Sequence, residues 1–476
     1  MKRIAILAAF IGFLLPLNAQ EKSATGIFGA FQPSKEWVMP EDPAVLKKLA
    51  EWQDRKLGLL ITFGTYSQWG IVESWSLVTT RHSWNNRPKE YAGLDDRAYV
   101  KEYEKLVTTL NPTGFDPGRW AKAAKDGGAK YVMVMSKHHD GFCMWDTRTT
   151  DYRITSENCP YHTSPKADVT REMSNAFRKQ GLSTGIYFSK ADWNSPYYWA
   201  PELGPGTGQG PNYKPADRTD QWEKFKAFTW NQVEELMRDY GPQDVLWLDG
   251  GSVRPPDAAI DMDGMAAMAR KYQPGLIVVD RTVSGVNENY ITPEGEIPDH
   301  YLPYPWETCM TMGTSWAWKP DDQFKSTGTL VRNLCRIVAR NGNYLIGIGP
   351  DGSGRFDPIV YERLKEMGDW LKANGEAIYE TRPISPYESG NCVFTVRRDG
   401  TVYAIVLAGD DLTGIPDKVF IPSVLAEKAA KMELLGFGKV QKGETRNGQT
   451  EVLIPQSARM KPRCNHAWAI RLTPKK

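Results

Sequence analysis

The feature that most constrains this chain is a repeated alternation of a short apolar run, a polar loop and an amphipathic helical stretch. Strands that recur in this way, each followed by a helix-length crossover, pair in parallel and bury both faces of one sheet. Four units show the pattern clearly. After an extended leader, residues 57–63 form the first apolar strand. Asp116-Pro117 then opens a helix with an N-cap and a proline in its first turn, and Gly127-Gly128 ends it before a strand over 131–135. Asp168 caps a second helix, which carries Val169, Met173 and Phe177 on one side and closes at Gly181 before a strand over 184–188. A third helix runs from about Gln221, with Trp222, Phe225, Val233 and Leu236 at helical spacing, to Gly241-Pro242, and a strand over 245–248 follows. With further strands at 276–279, 310–312 and 344–348, the pattern predicts an α/β fold, a TIM-like (β/α)8 barrel, as the more economical alternative to an open doubly wound sheet.

From about Ser385 the pattern changes to short strands at 393–396, 402–407, 419–421, 432–435 and 467–472, separated by turn signals such as Asp399-Gly400, which predicts an all-β sandwich. At the other end, Lys2-Arg3, an uncharged apolar run over 4–17 and a small-residue site before Gln20 have the order of a cleavable signal peptide. The expected organisation is a signal peptide over 1–19, a barrel-like catalytic domain over 20–378 and a C-terminal β-sandwich over 379–476, in a periplasmic or secreted protein. Lys and Arg number 59 against 57 Asp and Glu, so no field recruits nucleic acid or an anionic membrane, and the apolar run is too short for a membrane span. Six scattered cysteines form no C-x-x-C pair and are too sparse for a disulfide framework. Oligomeric state is not legible.

In a parallel barrel the carboxyl ends of the strands line one pocket, so the polar residues that terminate the apolar runs are the candidates for chemistry. Those ends are the run Ser136-Lys137-His138-His139-Asp140-Gly141-Phe142, the run Ser189-Lys190-Ala191-Asp192-Trp193, Asp249, and Asp280-Arg281. Trp247 lies two residues before Asp249, so their side chains share a strand face. The Gly- and Pro-rich stretch 204–215 is a long loop on the same side.

These segments together resemble the α-L-fucosidases of glycoside hydrolase family 29. The resemblance runs over about residues 57–357 and rests on Tyr66-Ser67, Glu73-Ser74-Trp75, the Lys137 to Phe142 run with Trp145, Thr150-Asp151-Tyr152, and Gly185-Ile186-Tyr187-Phe188-Ser189. Trp247-Leu248-Asp249-Gly250-Gly251, Thr292-Pro293-Glu294 and Trp306-Glu307-Thr308-Cys309 continue it in order. It implies an exo-acting retaining α-L-fucosidase that releases terminal fucose from a fucosylated oligosaccharide or glycoconjugate by double displacement, with no cofactor and no metal. Asp249 matches the nucleophile position. The acid/base falls on a loop where several glutamates compete: Glu294 first, then Glu307, Glu288 and Glu296. His138 and His139 resemble the pair that hydrogen-bonds the ring hydroxyls, while Glu73, Trp75, Tyr187, Trp247 and Arg281 match positions that line or support the sugar pocket.

One departure stands out. Where the family usually carries a histidine that contacts the sugar, this chain has Thr62, whose shorter side chain loses a contact worth about 1–2 kcal/mol or bridges it with water. It motivates one alternative, a retaining glycosidase of the same fold acting on a related sugar such as a galactoside; the 17 tryptophans and 21 tyrosines, with the C-terminal β domain, leave another, a carbohydrate-binding protein without catalysis. A metallohydrolase built on His138, His139, Asp140 and Asp192 is disfavoured because adjacent histidines in an extended segment point to opposite sides.

Overall fold

The computed structural model describes residues 36–409, 414–460 and 466–475, so the expected signal peptide lies outside the described residues. Seven strands, β1 (Leu57–Ile61), β2 (Tyr131–Lys137), β3 (Ser183–Ser189), β4 (Val245–Asp249), β5 (Ile277–Asp280), β6 (Trp306–Thr311) and β7 (Gly342–Ile348), pair in the order β5-β4-β3-β2-β1-β7-β6. Every ladder is parallel. Nearly every strand residue is buried, which is why these segments appear in the sequence as continuous apolar runs rather than as alternating ones.

The edge strands β5 and β6 do not pair with each other. Segment 287–295 fills the gap between them. Asp280 donates its backbone N–H to Asn287 O, and Asn289 N–H donates to Val278 O, on the β5 side; Glu307 N–H donates to Ile291 O and Gly295 N–H to Cys309 O on the β6 side. The barrel therefore has seven laddered strands, and an irregular stave held by isolated bridges takes the eighth place.

The helices α1 (Pro43–Arg55), α2 (Asp96–Glu104), α3 (Pro117–Asp126), α4 (Val169–Lys179), α5 (Thr219–Asp239), α6 (Met262–Tyr272), α7 (Thr327–Ala339) and α8 (Pro358–Asn374) accompany the sheet. The predicted caps form as written: Asp116 and Asp168 accept the backbone N–H groups of Arg119 and Arg171. The leader before β1 departs from the expected extended chain. Asp42 accepts Ala44 N–H at 2.8 Å, Pro43 occupies the first helical turn, and Val45, Leu49 and Trp52 form the buried face of α1.

The C-terminal part is antiparallel throughout. Strands β8 (Arg382–Ser389), β9 (Cys392–Val396), β10 (Val402–Leu407), β11 (Lys418–Pro422), β12 (Ala429–Leu434), β13 (Gly438–Lys439), β14 (Gln441–Arg446), β15 (Gln449–Leu453) and β16 (Ala467–Pro474) make a six-stranded sheet, β13-β12-β16-β10-β9-β8, facing a three-stranded one, β11-β15-β14. Phe394, Ala404, Val406, Trp468 and Ile470 point between the two sheets, while their neighbours Val393, Tyr403, Ile405, Ala467 and Ala469 join the core of the barrel. The period-2 alternation of the strands thus serves two cores at once. Trp370 of α8 seals the junction by donating its indole N–H to Ala467 O at 2.8 Å.

Candidate active site

Inward-pointing residues near the carboxyl ends of the strands form the floor of a pocket: Leu60, Met135, Tyr187, Trp247 and Cys309. One step further along, Thr62, His138, Asp249, Arg281 and Glu294 form its walls, with Glu73, Trp75 and Trp316 supplied by loops. Thr62 and Leu60, like Asp249 and Trp247, share a face because they lie two residues apart on or just past a strand.

Asp249 ends β4 in register with Ser189 of β3. Gly250 follows in the left-handed region, at φ +90, and a Cβ there would stand 2.9 Å from Ala191 N, so only glycine lets the chain turn away at once. The Asp249 carboxylate accepts Tyr187 Oη at 2.6 Å on Oδ2, and Gly250 N–H at 2.8 Å and Arg281 Nη1 at 3.2 Å on Oδ1. Burial alone pushes this carboxyl up, but the Arg281 guanidinium, His139, the Tyr187 hydroxyl and His138 outweigh it and hold the group well below the usual carboxylate range. Burial keeps His138 well below its ordinary value and His139 down to about 4, so both imidazoles are neutral near pH 7 and the guanidinium and the phenol carry the effect. Asp249 is an ionised, desolvated carboxylate, the state a nucleophile requires.

Glu294 lies on the irregular eighth stave, where its bridge to Cys309 of β6 fixes its height over the pocket. Its Oε2 accepts Arg281 Nη2, so one guanidinium spans both carboxyl groups. Arg281 is itself held over the Trp247 ring at 4.7 Å and donates Nε–H to Thr292 Oγ1 at 3.3 Å. Glu73 accepts Ala317 N–H at 2.8 Å. Burial, together with the charges of Glu294 and Asp249, pushes its carboxyl up to about 8 against that hydrogen bond. At neutral pH Glu73 is protonated and able to donate.

The competing glutamates separate by position. Glu307 is the second residue of β6, at the amino end of the strands, where it is buried against the hydroxyls of Tyr131 and Tyr290 on the far side of the barrel floor. Glu288 is buried and accepts Thr282 N–H at 3.1 Å, shaping the turn after β5. Glu296 is exposed. None of the three lines the pocket.

Two expectations need correction. The ring centroids of His138 and His139 are 4.2 Å apart, not on opposite sides, because the chain turns immediately after Lys137. His139 nonetheless stands behind the pocket wall, with Nδ1 on Ser189 Oγ at 2.5 Å and Nε2 on the Gln209 amide at 3.1 Å, whereas His138 faces the pocket with Nδ1 on Ser74 Oγ at 2.5 Å. The disfavoured metallohydrolase set of His138, His139, Asp140 and Asp192 does not assemble, although for a different reason from the one expected: Asp192 pairs with Lys137 at 2.8 Å, and Asp140 accepts Tyr103 Oη at 2.8 Å. His138, His139 and Asp249 do converge within 4.8 Å, but Arg281 already supplies the cation on Asp249. Lys137, Asp192, Lys190 and Asp280, all strand-end residues, pair among themselves beneath the site and brace it.

Gln209 and Trp316 are the participants that the sequence pattern did not single out, and Ser74 and Ser189 appeared there only within longer runs. Gln209 comes from the long 204–215 loop, whose length and glycines were visible while its inward contact was not. Among the described residues no helix is long and apolar enough to cross a membrane, and Cys143, Cys159, Cys309 and Cys392 are buried free thiols; Cys464 lies outside the described residues.

Residues 30–376 match the family model described as alpha-L-fucosidase. Human plasma alpha-L-fucosidase is 28% identical over 458 residues, covering 90% of this chain and 90% of that protein. An alpha-L-fucosidase of Branchiostoma floridae is 27% identical, covering 93% of this chain and 96% of its own length. The structure of alpha-L-fucosidase isoenzyme 1 from Paenibacillus thiaminolyticus superposes with a TM-score of 0.75 at 26% identity, over 91% of this chain and all of that one. The barrel, the paired carboxyls and these similarities agree, and the chain belongs to the alpha-L-fucosidase family of glycoside hydrolases.

Proposed function

We propose that the protein is an exo-acting retaining α-L-fucosidase in which Asp249 is the nucleophile and Glu294 the acid/base, acting on terminal fucose of exported or extracellular glycans. The observation that carries this reading is the single guanidinium of Arg281 shared by the two carboxyl groups. One guanidinium holding both carboxyl groups sets them on the same small space, as double displacement needs, whose carboxyl pairs stand about 5 Å apart.

In the first step Asp249 attacks the anomeric carbon and Glu294 gives its proton to the leaving oxygen. Formation of the ester removes the charge of Asp249, leaving Arg281 to stabilise Glu294 in its ionised form, which is the base needed to deprotonate the attacking water in the second step. Neutral His138 and protonated Glu73 supply a donor and acceptors for ring hydroxyls, and Trp75 and Trp316 cover apolar ring faces. Export rests on the amino-terminal sequence, and the division at residues 378/379 on the change from alternating α/β to antiparallel strands.

A second reading has its own observation. Thr62 Oγ1 is buried on the pocket wall with no hydrogen-bond partner among the described residues. A sugar bearing an additional hydroxyl at that point, such as a galactoside, would satisfy it. Turnover of 4-nitrophenyl α-L-fucoside beside other aryl glycosides decides between them. Fucose is expected to be released first as the α-anomer, and Asp249→Ala is expected to lose at least about a thousandfold in kcat. Preference for another glycone in the panel would favour the second reading, and unchanged turnover in Asp249→Ala would remove the first.

A further inference from the structure

The loop 204–215 enters the site at one point. The Gln209 carbonyl oxygen accepts Tyr198 Oη at 2.7 Å, Trp199 donates its indole N–H to Gly210 O at 3.1 Å, and Asn212 ties Ala200 and Gly204 together through its side-chain amide. Thr79 N–H donates to Gly206 O at 2.9 Å and fastens the loop to the opposite rim. Held in this way, the Gln209 side chain reaches inward to His139.

The hydrogen bonds there have only one consistent direction. Ser252 N–H donates to Gln209 Oε1 at 3.2 Å, so the amide nitrogen of Gln209 points the other way and donates to His139 Nε2. At the far side of the ring, Ser189 Oγ donates to Ala191 O at 2.7 Å, so it must accept from His139 Nδ1–H. Two independent ends of the chain impose the same tautomer: hydrogen on Nδ1, lone pair on Nε2. The ring is further wedged between Trp75 and Trp193, at 5.2 and 5.1 Å.

We propose that Gln209 is a positioning residue for the nucleophile: by occupying the Nε2 lone pair it keeps His139 a neutral imidazole of fixed tautomer beside Asp249. The proposal rests on Asp249 being the nucleophile. An imidazole that gained a proton on Nε2 would have to turn Gln209 away, and its charge, within 4.8 Å of the carboxylate, would draw Asp249 into an ion pair and blunt its attack. The charged or titratable groups facing His139 are Asp249 from β4, Arg281 after β5, and Lys137 and His138 from β2 and its end; Asp249 favours the proton and Arg281 and Lys137 oppose it. Gln209 adds a constraint in the same direction as the two cations without adding charge.

Nitrogen-15 histidine spectra of the full chain test this directly, since there are six histidines to resolve. The wild type is expected to show His139 as a single Nδ1–H tautomer. Gln209→Glu, which puts a carboxylate on Nε2, is expected to raise the titration midpoint of His139 by about one unit or more and to move the acid limb of kcat/KM on an aryl fucoside by the same amount. Gln209→Ala leaves Ser189 to hold the Nδ1–H tautomer but opens Nε2 to a proton, so it is expected to raise the titration midpoint of His139 by less than Gln209→Glu does, with a lower kcat and little change in KM. His139 signals that respond to neither substitution would overturn the proposal. Because the spectra need no substrate, a wild type that shows the fixed tautomer yet fails to release fucose would count against the assigned function and not against this contact.

Discussion

Asp249 and Tyr187 form the hydrogen bond on which the chemistry of the site turns. At 2.6 Å, from a phenol to an ionised carboxylate in a buried setting, the bond contributes about 1.5–3 kcal/mol to the charged form. Burial and the neighbouring charge of Asp249 push the Tyr187 phenol well above its ordinary value, so it remains a donor across the working range. Tyr187→Phe is therefore expected to raise the Asp249 carboxyl and shift the acid limb of kcat/KM upward, with kcat down about tenfold to a hundredfold, measured as a pH profile on an aryl fucoside. An unshifted limb would mean that Arg281 alone keeps Asp249 ionised. At this scale the sequence was informative wherever a polar residue ended an apolar run, because strand geometry then forces the side chain toward the pocket. It was silent on Gln209, whose place depends on a loop tied by Tyr198, Trp199 and Asn212 rather than on any local pattern. It also misjudged His139, which the turn after Lys137 brings next to His138 and behind the wall.

Among the elements, the eighth stave is the one with a distinct function. Strands β1 to β5 and β7 were visible as apolar runs because both faces of each are buried, while β6, Trp306–Thr311, is largely polar and was read only at its carboxyl end, as 310–312; segment 287–295 makes bridges singly, carries no such run, and was legible only as a loop with competing glutamates. Its irregularity is what allows Glu294 to project over the pocket while Glu288, on the same segment, turns back to Thr282. Gly295, at φ +66, donates its N–H to Cys309 O at 2.9 Å immediately after Glu294. Gly295→Ala strains that conformation by about 1 kcal/mol and is expected to lower kcat/KM at least about tenfold with a melting temperature only a few degrees lower. Loss of stability with full activity would show that the stave does not position the acid. Helix α1 teaches the same lesson in reverse: its Asp42-Pro43 start and its Val45, Leu49 and Trp52 spacing were present in the sequence, but a single short helix before the first strand has no repeat to announce it.

In the molecule as a whole, the two ends of the barrel use buried acids differently. At the carboxyl end Asp249 is ionised; at the amino end Glu307 is buried against Tyr131 and Tyr290, and burial pushes it up to about 7 against the hydrogen bonds those residues donate. The folded state binds this proton more tightly than the unfolded chain, for which 4.5 is the reference, so the stabilisation is complete below about pH 4.5 and is lost as pH rises through 7. Glu307→Gln retains a polar partner for the two tyrosines and never ionises. Its stability relative to wild type is expected to rise between pH 4.5 and 7 by roughly 3 kcal/mol, read from denaturant midpoints at several pH values. A difference independent of pH would contradict the assignment. Behind the barrel, β9, β10 and β16 complete its core with one face while building the sandwich core with the other, so the strand alternation visible in the sequence gave the sandwich but not its second role as a wall of the barrel. The whole arrangement converges on one carboxylate at the end of β4. Incubation with a 2-deoxy-2-fluoro fucosyl donor bearing a good leaving group, followed by peptide mass spectrometry, tests that most directly: a covalent fucosyl adduct on Asp249 is expected, and an adduct on any other carboxyl group would contradict its role as nucleophile.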